Sequence, residues 1–164
     1  READINSFIV WVSVKHICKK NFVPQVMKIL DKHGIKPDRF CFNITQSILE
    51  ADKEQILANI KACRELGFKV SIDDLGLEYT SLSNLSHYDV DYIGIHASII
   101  EDIMESERTQ NMVQGLIDFA KKIEVETRVD GIDTAEKAEL LKKLGVDQLK
   151  GPFYGKPGNE KSIV

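Results

Sequence analysis

Phe68-Lys69-Val70-Ser71-Ile72-Asp73-Asp74-Leu75-Gly76 is a short apolar, β-branched run that ends in two adjacent carboxylates and a glycine. Successive side chains of a strand point to opposite faces, so adjacent acids inside a strand would send one carboxylate into the core. The carboxyl end of a buried parallel strand suits them better, because there the chain leaves the sheet and ligands collect. One aspartate can then point into a site while the other sits beside it. Paired carboxylates in such a place suit divalent cations with oxygen ligands, or proton transfer. A strand followed by an Asx-type turn, with Asp73 and Asp74 satisfying loop amides, accounts for the same residues. The rest of the chain bears on the choice.

Outward from this stretch the same unit recurs: strand, loop, helix. Upstream, Phe40-Cys41-Phe42-Asn43-Ile44 reads as a strand. Asp52 with Gln55 then makes a capping-box start for a helix to Leu66, stopped by Gly67. Its apolar stripe is Ile56, Leu57, Ile60, Cys63 and Leu66. Earlier still, Phe8-Ile9-Val10-Trp11-Val12 is an apolar run of strand length. Asn21 can cap the helix that follows, which runs to His33 before Gly34 with Phe22, Val26, Ile29 and Leu30 on one face.

Downstream, a helical turn near Ser81–Leu85 precedes a strand at Tyr92-Ile93-Gly94-Ile95. A helix from Glu107 to Lys122 places Met112, Leu116, Phe119 and Ala120 inward, and Val125–Val129 is the next strand, the least apolar because of Glu126 and Arg128. Asp133 and Glu136 frame a last helix, with Leu140, Leu141 and Leu144 as its stripe and Gly145 as its stop. Asp147–Lys150 closes the series. Six strand–helix units without a hairpin signature predict an α/β fold, a parallel sheet with helical crossovers. The pattern fits a doubly wound sheet or most of a (β/α)8 barrel of the TIM type. No glycine-rich phosphate loop is present, which favours an incomplete barrel of about six β/α units.

The 164 residues suit a single domain, 1–164, with a sizeable core. A net charge of −4 gives no basic footprint for nucleic acid. No run reaches the length of a membrane span and no secretory signal pattern opens the chain. Cys18, Cys41 and Cys63 are odd in number and lack metal spacing, which predicts packing residues in a reducing cytoplasm. The opening Arg1-Glu2-Ala3-Asp4 reads as a cut inside a larger protein.

The residues at the strand ends are Trp11, Asn43, Asp73 with Asp74, Gly94 with His96, Asp130 and Lys150. In a barrel they would gather at one mouth, where barrel active sites lie. Asp73, Asp74 and Asp130 are candidate cation ligands, with Lys150 or His96 available to an anion. Three acids and an asparagine are few ligands for a two-metal hydrolase, and a tryptophan stands where a polar group is expected.

Ser71-Ile72-Asp73-Asp74-Leu75-Gly76-Leu77-Glu78-Tyr79-Thr80-Ser81-Leu82 resembles the DDFGTGYSSL signature of the EAL domain. Asn43-Ile44-Thr45-Gln46-Ser47 resembles that family's E-[IL]-T-E-S, and Tyr92-Ile93-Gly94-Ile95-His96 its Y-[LI]-K-I-D. Val129-Asp130-Gly131-Ile132-Asp133 is similar to A-E-G-V-E, Lys150-Gly151-Pro152-Phe153-Tyr154-Gly155-Lys156-Pro157 to Q-G-Y-x-[FY]-x-x-P, and Val10-Trp11-Val12-Ser13 to V-N-V-S. The resemblance implies a barrel phosphodiesterase ancestry, with bacterial cyclic di-GMP as the ancestral substrate and two divalent cations generating the attacking hydroxide.

Position by position, the resemblance also implies lost catalysis. The asparagine ligand is Trp11 and the first glutamate is Asn43. The lysine that assists the nucleophilic water is Gly94, and its neighbouring aspartate is His96. The A-E-G-V-E glutamate is Asp130, the Q-G-Y glutamine is Lys150, and the loop-ordering glutamate is Gln46. Asp73 and Asp74 alone match unchanged, and the strand bearing the E-A-L motif has no counterpart in these residues. Loss of one positioned group costs about 10²–10⁴ in rate.

The expectation is therefore a truncated, degenerate regulatory domain with no catalytic residues. Asp73, Asp74 and Asp130 would be a vestigial metal set, and Mg or Mn would matter only if residual phosphodiesterase activity remained. A protein partner or self-association is expected, because a partial barrel exposes sheet edges. A non-hydrolysing cyclic di-GMP receptor is the alternative. Lys150 is expected to pair with Asp130 or Asp74 in place of a metal, and Trp11 to plug the cavity.

Overall fold

Two units make up the chain, Asn6–Asp91 and Tyr92–Val164. The computed structural model describes residues 7–45, 53–75 and 88–155. In the first unit β1 (Phe8–Val12), β2 (Phe40–Thr45) and β3 (Lys69–Leu75) pair in sequence order, all parallel. Parallel neighbours require crossovers, and α2 (Phe22–His33) and α3 (Lys53–Glu65) supply them, with α1 (Val14–Ile17) as a short turn after β1.

The register sets Val10, Phe42 and Val70 on one rung and Trp11, Asn43 and Ser71 on the next. Alternation then sends these two rungs to opposite faces. The Phe42 face meets aromatic neighbours, with Phe22 edge-on at 5.6 Å and Phe68 stacked at 4.8 Å.

Gly34 ends α2 in the left-handed conformation, φ 64°, as the sequence predicts. The buried arc of α2 differs from the expected one. Val23 is buried with Phe22 and Leu30, whereas Ile29 is exposed. At 3.6 residues per turn Ile29 lies just outside the arc spanned by Phe22, Val26, Leu30 and Val23. Asn21 occupies the N-cap position without a side-chain cap bond. In α3, Ile56, Ile60 and Cys63 are buried as expected, but Leu66, in the turn beyond the last helical residue, is exposed. Buried Asn59 donates from Nδ2 to the carbonyls of Ile17 and Lys19, tying the end of α1 to α3. Asp52, the expected cap, lies outside the described residues, and Gln55 bonds to Asn59 Oδ1 at 3.3 Å.

In the second unit β4 (Tyr92–Ile95), β5 (Glu126–Val129) and β6 (Gln148–Leu149) are again parallel and in sequence order. The connections contain α4 (Glu107–Lys122) and α5 (Ala135–Leu144). Ile95 and Val129 from the sheet pack with Val113 and Ile117 of α4 and Leu141 of α5 in one buried cluster. The stripe of α4 is Thr109, Val113, Ile117 and Ala120, while Met112, expected inward, is exposed. The apolar residues of α4 cover more than one face, so periodicity alone left two stripes to choose from.

Ser106 caps α4 through Oγ, which accepts from the Thr109 N–H at 3.1 Å. Thr134, one residue after the expected Asp133, caps α5. Asp133 pairs instead with Lys137 Nζ at 3.2 Å. The helical turn expected near Ser81–Leu85 lies outside the described residues.

Candidate functional site

The first unit buries a short polar chain at the end of β3. Ser71 Oγ donates to Asn43 Oδ1 at 2.7 Å, and Asn43 Nδ2 donates to Asp73 Oδ2. Asn43 is 0% exposed and Asp73 8%. An amide can turn either its carbonyl or its NH₂ toward a neighbour; a carboxylate only accepts, so Asp73 takes the NH₂, and the Ser71 hydroxyl, able to donate, takes the carbonyl. Asp74 follows at φ 66°, a left-handed conformation that aspartate tolerates better than most side chains and that turns the chain at the strand end.

Trp11 shares the rung of Asn43 but is 58% exposed. The expectation that it plugs a cavity is therefore corrected. β1 is apolar at every position, yet it is paired on one edge by β2, and Phe8, Val10 and Trp11 are all exposed.

In the second unit, two turns held by backbone bonds set the second cluster. The Ile132 N–H donates to the Lys150 carbonyl and the Phe153 N–H to the Ile132 carbonyl, both at 3.0 Å. Gly151 is required for this approach, because a Cβ there would collide with the backbone of Ile132. The result places Lys150 Nζ 3.1 Å from Asp130 Oδ2, both side chains half-buried. The sequence predicts a pair of Lys150 with Asp130 or Asp74, and the structure forms the one with Asp130. Asp130 Oδ1 is buried without a hydrogen-bond partner among the described residues.

His96 is used locally. Its Nδ1 accepts from the Ser98 N–H at 3.2 Å and lies 2.9 Å from Ser98 Oγ, capping the turn Ala97–Ile100. A neutral ring whose Nδ1 accepts carries its proton on Nε2, so neither nitrogen offers a free lone pair.

These contacts decide how the residues fit a pair of divalent cations. A ligand set needs convergent oxygen or imidazole lone pairs. Here an amide N–H engages Asp73 and an ammonium engages Asp130. Asn43 spends its carbonyl on Ser71, and Gly94 has no side chain. Among the described residues no three His, Cys, Asp or Glu side chains are grouped to hold a metal. The side chains described at these strand ends do not by themselves make a set for two cations. Gln46, with the loop after Leu75, lies outside the described residues. None of Cys18, Cys41 and Cys63 is in a disulfide. Burial pushes Cys63 from 9.0 up to about 12, so it is a packing residue and not a nucleophile.

The sequence reading noted Arg128 only as a charge that makes β5 less apolar. The structure places it 4% exposed, with Nε donating to Gln148 Oε1 at 3.1 Å and Cζ 4.8 Å from the centre of the Tyr92 ring. An arginine in a four-residue parallel strand, alternating with buried Thr127 and Val129, was the available signal.

Parallel strands joined in sequence order by helical crossovers, with acids at the strand ends, define the class: a β/α domain of the barrel type. The model of the EAL domain matches residues 3–157, and the chain belongs to the EAL domain family. It is similar to the cyclic di-GMP phosphodiesterase PdeF of Escherichia coli K12, at 25% identity over 150 residues, 92% of this chain and 20% of PdeF. Likeness to PdeR of the same organism, also a cyclic di-GMP phosphodiesterase, is 24% over 158 residues, 96% of this chain and 24% of PdeR.

Among solved structures, the EAL enzyme Bd1971 with cAMP and cyclic di-GMP bound matches at TM-score 0.88 and 24% identity, over 93% of this chain and 40% of that one. The EAL domain of Mycobacterium smegmatis DcpA matches at TM-score 0.86 and 25% identity, over 92% of this chain and 68% of that one. The chain spans about a fifth of the length of the curated relatives it matches. No helix among the described residues is long and apolar enough to cross a membrane.

Proposed function

We propose that this EAL-family domain does not hydrolyse cyclic di-GMP and works in cyclic di-GMP-related regulation through contacts with another protein. One observation supports the loss of catalysis above all others. Asp73 and Asp130 are each engaged by a nitrogen donor, Asn43 or Lys150, standing where the family's motifs carry a glutamate and a glutamine. An N–H donor satisfies a carboxylate but cannot ligate a cation. The exposed apolar strand β1 supports contact with a protein.

The test is overnight incubation with cyclic di-GMP and Mg²⁺ or Mn²⁺, followed by chromatography for the linear dinucleotide. No product is expected; metal-dependent product overturns the reading. Binding of cyclic di-GMP without cleavage is the second reading. Its support is Arg128, a buried cation whose Nη1 has no hydrogen-bond partner among the described residues.

A further inference from the structure

We infer that Arg128 is the anchor of an anion site that takes a phosphate group, on the face of β4–β6 turned away from the helices. The inference deepens the second reading above by naming the residue and the part of the ligand it holds. Ile95 and Val129 pack against α4 and α5, so by alternation Gly94 and Arg128 point the other way. Gly94, Arg128 and Gln148 share one rung. Gly94 adds no side chain to that rung.

Arg128 is 4% exposed, yet no carboxylate is paired with it among the described residues. Its Nε is used by Gln148 and its plane is covered by Tyr92. The acid in this network, Glu126, is reached only through Gln148 Nε2, at 3.3 Å. Nη1 is buried and has no hydrogen-bond partner among the described residues. A buried cation without a counter-charge is costly, and every polar atom of a guanidinium is a donor. What completes it is an anion with acceptor oxygens. The planar fork fits phosphate better than a spherical ion such as chloride. Tyr92 and Gln148 hold that fork in place before a ligand arrives.

The experiment uses thermal unfolding and calorimetric titration of the whole chain with inorganic phosphate, with sodium chloride at matched ionic strength, and with cyclic di-GMP. Phosphate should raise the unfolding midpoint more than chloride does, by mass action. Arg128→Met removes the charge and keeps an apolar side chain of similar length. It should fold with an unchanged or higher midpoint, since replacing a lone buried charge by an apolar group is neutral or stabilising. It should also lose the phosphate response, with affinity at least about tenfold weaker.

Should Arg128→Met fail to fold, Arg128→Lys keeps the charge, loses the fork, and should bind phosphate more weakly than wild type. Cyclic di-GMP binding that also depends on Arg128 identifies the ligand as a phosphodiester. Phosphate binding through Arg128 without cyclic di-GMP binding keeps this site and removes the receptor reading. No phosphate response beyond that of chloride, or a response that survives Arg128→Met, overturns the inference.

Discussion

Replacing Asn43 by aspartate isolates the chemistry of the first cluster, because it exchanges a donor for an acceptor with almost no change in size. Asn43 is 0% exposed and Asp73 8%, so water screens the new pair poorly. Two carboxylates about 4 Å apart repel by roughly 4 kcal/mol at an effective dielectric near 20. The lost N–H donor adds about 1–3 kcal/mol. Sharing a proton relieves part of this, so about 3–5 kcal/mol is expected at neutral pH, or roughly 10 °C in the unfolding midpoint.

The pH dependence has a definite sign. Like-charge contact raises the folded pKa of the pair above the ordinary carboxylate value near 4, so the folded state holds a proton that the unfolded chain has released. The deficit of Asn43→Asp is then small below about pH 4. It grows as pH rises through the raised value and levels off above it. Urea unfolding of both proteins near pH 4.5 and pH 7.5, followed by circular dichroism, measures it. Equal stability of the two proteins at both pH values would refute the claim that Asn43 gives its N–H to the Asp73 carboxylate.

Three further outcomes are expected. Lys150→Met should cost no more than about 1 kcal/mol in urea unfolding, because both partners of the ion pair reach water. A loss several times larger would mean that Lys150 does more than hold a half-exposed carboxylate. Gly151→Ala should destabilise more than Gly131→Ala in thermal unfolding. The new Cβ meets the backbone of Ile132 in the first case and the side chain of Ala97 in the second, although Gly131, at φ 82°, adds backbone strain. The Cys63 thiol is neutral in the fold up to about 12 but ionises near 9.0 once unfolded. Stability should therefore fall as pH climbs above about 9, by at most about 1.4 kcal/mol per unit from this group. Cys63→Ala should flatten that slope, although the Tyr88 hydroxyl, raised by burial, contributes in the same direction.

Much of the architecture is legible in the residues because local rules and the tertiary structure agree. Gly34, Gly67 and Gly145 all adopt positive φ where a helix was predicted to stop. β1 and β4 begin and end where the apolar runs do. The errors fall where one rule allowed two answers. In α4, Met112 and Val113 are adjacent and equally apolar, so the buried stripe depends on a sheet that the helix sequence does not encode. Asp133 and Thr134 are adjacent cap candidates, and Lys137 separates them by drawing Asp133 into an ion pair. Trp11 was assigned to a cavity by its size, but its exposure is set by which neighbours flank β1. Arg128 was invisible as a site residue because its meaning lies in a register spanning three strands.

The two clusters share a logic that neither position reveals alone. A carboxylate brought to the end of a buried strand needs positive charge or N–H donors. If the partner is a metal, the neighbouring residues must also be acceptors, and the cluster is held together by an ion in solution. If a neighbour becomes an amide or an ammonium, one oxygen of the same carboxylate finds its donor within the chain and the need for an ion falls. Asn43 beside Asp73 and Lys150 beside Asp130 are both of the second kind. Each donor can be removed in its own unit. Asn43→Glu in the first unit and Lys150→Gln in the second should each gain more stability from Mn²⁺ than the parent protein does, and the double variant should show both gains. A parent protein stabilised by Mn²⁺ as strongly as the double variant would show that the donors do not displace the ion.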